Sequence, residues 1–169
     1  ATLAYQRAIE IDPLYDEAGA LFGRQLAYAG SAKKALELLE PLVKRTQKYS
    51  YAFTAIGLSK RDVGDTDGAL KAFERAAALD PRDFEPLYWA GRLYGNRNAH
   101  KDVIRTLGKA RKLITKDDPY FFDLLKRLGH AQESQGNREA ARSLYKLYVE
   151  SAPEGDAGLP SVKRKLARL

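Results

Sequence analysis

Cysteine is absent from the 169 residues, and so is methionine. Without cysteine there is no disulfide, no thiolate nucleophile and no thiolate metal site. The missing methionine points to a processed chain or to a piece of a longer one. No apolar run approaches the ~20 residues that a bilayer-spanning helix needs. No basic start followed by an apolar stretch marks a signal peptide. Histidines number two, His100 and His130, with no third ligand at helical spacing, so no metal site is expected. Asp117 and Asp118 sit side by side in the turn-rich segment TKDDPYF, 115–121, and are placed to cap a helix from 119 rather than to act as an acid–base pair. Neither a glycine-rich phosphate loop nor a nucleophile elbow occurs. The chain is therefore expected to be no enzyme and to hold no cofactor.

Charge of one sign is concentrated rather than lacking. The net charge is +7. Lys163, Arg164, Lys165 and Arg168 lie in the last ten residues with no acid among them, which leaves +3 on the rest. The basicity belongs to a tail, so nucleic acid is disfavoured as a partner. Its mark would be salt-dependent binding that disappears with residues 160–169.

Against these absences stands a repetition. AYQRAIEIDPLY at 4–15 returns as AFERAAALDPRD at 72–83, an offset of 68, or twice 34. Glycines inside apolar helical patterns follow the half-period: Gly23, Gly57 and Gly91 at 34-residue steps, then Gly129 after 38. A glycine inside a helix costs roughly 1 kcal/mol relative to alanine, so four in register suggest close approach of a neighbouring helix. Seven residues after each come Gly30, Gly64, Asn98 and Gly136, the residue types that end helices in the left-handed conformation. A third series is Ala35, Ala69, Val103 and Ala141, each followed four residues on by Leu39, Phe73, Leu107 and Tyr145. That spacing marks one face of a second helix. Pro13, Pro81 and Pro153 punctuate alternate units. The spacing predicts helices over 2–11, 16–29, 32–46, 50–63, 66–79, 84–97, 100–114, 119–135, 138–151 and 160–169, with no strand. The four extra residues of the long unit are expected near 115–121.

Gly57, Ala69, Phe73, Ala76 and Pro81, with Phe53 at the fourth position of the unit starting at 50, resemble the tetratricopeptide repeat. Leu87, Gly91, Tyr94 and Ala110 continue the pattern in the unit from 84. Gly23, Ala35 and Leu39 carry it in the unit from 16, and Leu125, Gly129, Ala141, Tyr145 and Pro153 in the unit from 122. Departures are Leu42 and Gln47 where alanine and proline are usual, Lys60 for an aromatic, Val103 for alanine, no closing proline in the unit from 84, and Tyr148 for a small residue. The resemblance implies an all-α fold, a right-handed α-solenoid of antiparallel helix pairs. Its expected divisions are a half repeat at 1–15, repeats at 16–49, 50–83, 84–121 and 122–155, and a capping helix at 156–169. Segment 1–15 reads as the second helix of a repeat whose first helix would precede it. In the capping helix Val162, Leu166 and Leu169 share one face, as the polar-backed end of a stack requires.

The same resemblance implies a protein–protein interaction module or scaffold whose first helices line a concave groove. The inward positions would be Ala20, Arg24 and Tyr28; Tyr51, Thr54 and Leu58; Glu85, Tyr88, Trp89 and Arg92; and Lys126, Arg127 and His130. Tyr88, Trp89 and Arg92 are residue types enriched at binding hot spots. The expected partner is a protein or peptide segment with acidic or aromatic groups. A structural spacer or oligomerisation segment of a larger solenoid is the alternative. The family's cationic clamp for chaperone tails is not expected. From the unit at 16 its positions read Ala20, Arg24, Ala55, Glu85 and Trp89, and from the unit at 50 Thr54, Leu58, Trp89, Asp123 and Arg127. The lysine–asparagine set that makes its charge-assisted bonds is missing.

Overall fold

A computed structural model describes residues 2–12 and 14–169, with Thr2 described by its backbone alone. Pro13, one of the three punctuating prolines, lies outside the described residues. Among those described the chain is all-α. Its helices are α1 (Thr2–Ile11), α2 (Asp16–Tyr28), α3 (Ala32–Arg45), α4 (Ser50–Asp62), α5 (Thr66–Leu79), α6 (Glu85–Asn96), α7 (His100–Ala110), α8 (Phe121–Ser134), α9 (Arg138–Ser151) and α10 (Leu159–Arg168). They gather into two compact units, Ala1–Trp89 and Ala90–Leu169.

The turns that join the pairs α2–α3, α4–α5, α6–α7 and α8–α9 are built alike. Gly30, Gly64, Asn98 and Gly136 all take positive φ, from 55° to 87°. The next residue's N–H reaches back five positions in each case: Ser31 to Leu26, Asp65 to Lys60, Ala99 to Tyr94 and Asn137 to Gln132, at 2.8–3.0 Å. This hydrogen bond satisfies a carbonyl that the helix end would otherwise leave open. At the start of α5, Asp65 accepts from the Gly68 N–H at 2.8 Å.

The interior glycines do what their register suggests. A Cβ on Gly23 would lie 2.4 Å from Leu39, and one on Gly57 2.4 Å from the Phe73 ring. On Gly91 it would lie 2.2 Å from Leu107, and on Gly129 2.5 Å from Tyr145. The first glycine series and the third series of the sequence are therefore two halves of one contact. A large residue of the second helix sits on the bare backbone of the first. In the first unit Leu39, Leu42, Ala52, Ala55, Ile56 and Ala72 form the core around these contacts, with α2, α3 and α4 mutually packed and α4 against α5. In the second unit Leu107, Leu124, Leu125 and Leu128 are buried, α8 packs on α7 and α9, and α10 on α9. Val162 is the buried residue of α10, while Lys163 and Arg164 are exposed.

Two boundaries differ from the sequence expectation by more than one residue. α7 ends at Ala110 rather than 114, and α8 begins at Phe121 rather than 119. Asp118 does not cap α8. Its carboxylate accepts from the Thr115 N–H at 2.8 Å and from the Thr115 hydroxyl at 3.0 Å. That local ring closes the turn before the helix can start.

Pro41 lies inside α3. Its ring removes the N–H that would bond the Glu37 carbonyl. Both residues are exposed, so the freed carbonyl is open to water. Pro41→Ala is expected to stabilise the chain by about 1–2 kcal/mol, the interior-proline penalty less the gain in unfolded-chain entropy. A rise in Tm by circular dichroism checks this. A fall would mean that the break in α3 is needed to seat Leu42.

Candidate functional site

In the first unit the groove residues expected from sequence divide into two groups. Thr54, Leu58 and Tyr88 are only 2–3% exposed. They serve packing and offer a partner no surface; the Thr54 hydroxyl bonds the Ser50 carbonyl of its own helix at 3.4 Å. Ala20 is likewise buried. Arg24 and Tyr28 are exposed, and Tyr51 and Trp89 are partly so.

These four are held by specific contacts. Arg24 and Tyr28 stand one turn apart on α2, and the Arg24 guanidinium lies 5.2 Å from the centre of the Tyr51 ring on α4. Tyr49 flanks that ring at 5.5 Å. The Tyr28 hydroxyl donates to Glu85 Oε2 at 2.6 Å, and the Trp89 indole N–H donates to Glu85 Oε1 at 3.1 Å. One carboxylate in the first turn of α6 thus ties an aromatic of α2 to an aromatic of α6. On Trp89 stacks the guanidinium of Arg61, 4.4 Å from the ring centre. Burial, with help from Glu17, pushes the Tyr51 hydroxyl up to about 12. Asp83 is also pushed up by burial, partly offset by the Glu85 N–H that it accepts.

The result is a face of aromatic planks, of which Tyr51 and Trp89 are each backed by a guanidinium. Such guanidiniums are weakly hydrated, and that of Arg61 also donates to its neighbour Asp62, Nε to Oδ1 at 2.8 Å. Sequence reasoning placed Glu85 on this face but gave it no role, and it missed Arg61. Arg61 lies about one turn past Leu58, the last inward position expected on its helix, and only the tertiary approach of α6 brings it over an indole.

In the second unit Arg92 is half-buried on α6, and Lys126, Arg127 and His130 share α8. Arg127 Nε donates to Asp123 Oδ2 one turn earlier, and Lys126 stands 3.9 Å from the same carboxylate. His130 meets His100 edge to face, the ring centres 5.7 Å apart. No sequence spacing announces this pair, because the two residues come from helices with different registers. Lys165 of α10 bonds Glu133 at 2.9 Å, and the same carboxylate oxygen accepts from the Tyr145 hydroxyl at 2.9 Å. The tail helix thereby uses one of its cations inside the fold. Among the described residues no group of three or more His, Cys, Asp or Glu could hold a metal ion, and no helix is long and apolar enough to cross a membrane.

The sequence model of the tetratricopeptide repeat matches residues 50–83, the stretch that forms α4 and α5. Among solved structures, MamA superposes with a TM-score of 0.74 at 22% identity, covering 99% of this chain and 90% of its own. YrrB, described as a TPR protein with an unusual peptide-binding site, gives 0.70 at 18% identity, with 99% and 82% covered. TTC0263 of Thermus thermophilus, a thermophilic TPR protein, gives 0.64 at 21%, with 99% and 89% covered. Among curated proteins none matches by sequence. At these identities the likeness establishes the fold, which is that of tetratricopeptide-repeat solenoids.

Proposed function

We propose that this chain, whose residues 50–83 form a tetratricopeptide repeat in a fold shared with other such solenoids, is a protein-binding module that captures a peptide segment on its first helices. Its units are taken as 16–49, 50–83, 84–121 and 122–155, with 156–169 as the cap. The observation that carries the reading is the Glu85 clamp. Glu85 immobilises Tyr28 and Trp89 in one arrangement, and pre-ordered aromatics lose little entropy when a partner lands on them. Arg24 and Arg61 over neighbouring rings favour a segment that brings acidic and aromatic side chains. The unusual peptide-binding site of YrrB supports peptide capture as something this fold can do. On the second unit Arg92, Lys126, Arg127 and His130 offer polar and cationic contacts.

Selection from a displayed random peptide library on the full chain tests this. Enriched peptides should carry acidic and aromatic residues. A photo-crosslinking amino acid at position 28 or 51 should label them, and one at Leu113, exposed on the turn after α7, should not. Labelling from 113 alone would move the site elsewhere. A failure to enrich any peptide would favour the spacer reading.

A further inference from the structure

The second unit holds a half-open cavity of about 250 Å³ between α6, α7, α8 and α10. Its polar wall is His100 from α7, Lys126, Arg127 and His130 from α8, and Lys165 from α10; α6 contributes Gly95 and Asn96, neither of them titratable. At roughly 30 Å³ per water, the space is that of about eight waters, enough for one carboxylate side chain and some solvent. The charges around it do not cancel. Asp123 and Glu133 oppose Lys126, Arg127 and Lys165. With both histidines neutral one positive charge is left over, and with both protonated three are. Burial, then the Lys165 ammonium and His100, hold the His130 imidazole below its ordinary value, against the pull of Glu133.

We propose that this cavity receives the carboxylate of an acidic residue in a peptide segment held by the second unit, seated among Lys126, Arg127, Lys165 and the His100–His130 pair, so that α10 is a wall of a binding site as well as the end of the stack. The proposal rests on the peptide-capture reading above and adds where the acidic group goes. Two imidazoles meeting edge to face at 5.7 Å repel each other when both are charged. An anion in the pocket beside both rings offsets that cost and accepts charge-assisted hydrogen bonds from both. Binding therefore raises both histidines. Its extra affinity is fully present below the free-state values and is lost as pH rises through those of the complex.

The chain's two histidines give two resolvable imidazole signals in an NMR titration of the full chain. The probe is the capped tripeptide Ala-Glu-Ala, compared with its Ala-Gln-Ala counterpart and with inorganic phosphate. The glutamate peptide should shift both signals at pH 6 and raise their titration midpoints. If each midpoint rises by about half a unit, it should bind about tenfold more tightly at pH 5.5 than at pH 8. The glutamine peptide should do neither. His130→Gln should cut the pH dependence to about threefold. Gly95→Leu, whose Cβ has room 3.9 Å from Val103 and 4.0 Å from Arg127, should fill the cavity and remove binding with every charge kept. Unmoved histidine signals, or equal shifts with phosphate, would overturn the inference. If library peptides still crosslink at position 28 while the histidines stay silent, this inference alone falls. If the histidines respond but nothing crosslinks, the capture reading falls.

Discussion

Cutting Phe73 back to alanine is expected to destabilise the chain by about 3–5 kcal/mol, a large share of the ~5–15 kcal/mol that holds a domain folded. Phe73 is 1% exposed, and its ring covers the bare backbone of Gly57, where a Cβ would lie 2.4–2.8 Å from three ring carbons. A ring in a packed core cannot retreat without moving its neighbours. Gly57→Leu is therefore expected to cost on the order of 1–3 kcal/mol by overpacking, although leucine favours helix over glycine by nearly 1 kcal/mol. The two residues should be coupled. In the Phe73→Ala background, Gly57→Ala should turn from destabilising to neutral or stabilising, because the space the Cβ needs has been vacated. A double-mutant cycle by urea unfolding measures this coupling. Additive effects would refute the paired contact. The same test can be repeated with Gly129 and Tyr145 in the second unit.

Replacing Arg24 by glutamate together with Trp89 by alanine is expected to weaken capture of a selected peptide by about 30-fold or more. Both substitutions act on the accessible part of the first unit's face. Trp89→Ala removes the plank on which Arg61 lies and one of the two donors that hold Glu85. Arg24→Glu turns the guanidinium over Tyr51 into a charge that repels an acidic segment. Neither residue belongs to the fully buried core, so helicity should be unchanged and Tm should fall by only a few degrees. Fluorescence anisotropy of a labelled library peptide reads the loss. Unchanged affinity would remove this face from the binding site. Thr54→Ser and Leu58→Met, at buried positions, should leave affinity alone.

Much of this molecule is legible without coordinates. The register of Gly23, Gly57, Gly91 and Gly129 marks a steric requirement, and such a requirement repeats with the period of the fold that imposes it. The positive φ at Gly30, Gly64, Asn98 and Gly136 is written in residue type for the same reason, since few side chains tolerate that conformation. The stretch from 111 to 120 was less legible. Its turn depends on which of two adjacent aspartates finds a donor, and Asp118 finds Thr115. The groove residues were legible by position but not by exposure. A motif says which way a Cα faces in an average repeat. Whether Thr54, Leu58 and Tyr88 are covered depends on the size of the particular side chains packed around them.

The sequence by itself determined the all-α class, the helix pairs, the turn conformations and the close helix approach at Gly23, Gly57, Gly91 and Gly129, because these follow from local sterics recurring at a fixed interval. Only the tertiary structure decided that Glu85 binds both Tyr28 and Trp89, that Arg61 lies on the indole, that His100 meets His130 and that Lys165 reaches Glu133. Apart from the Glu85–Trp89 bond, which lies one turn apart within α6, each of these arrangements joins side chains from different helices over a few ångströms. Such distances are set by how helices pack and not by spacing along the chain.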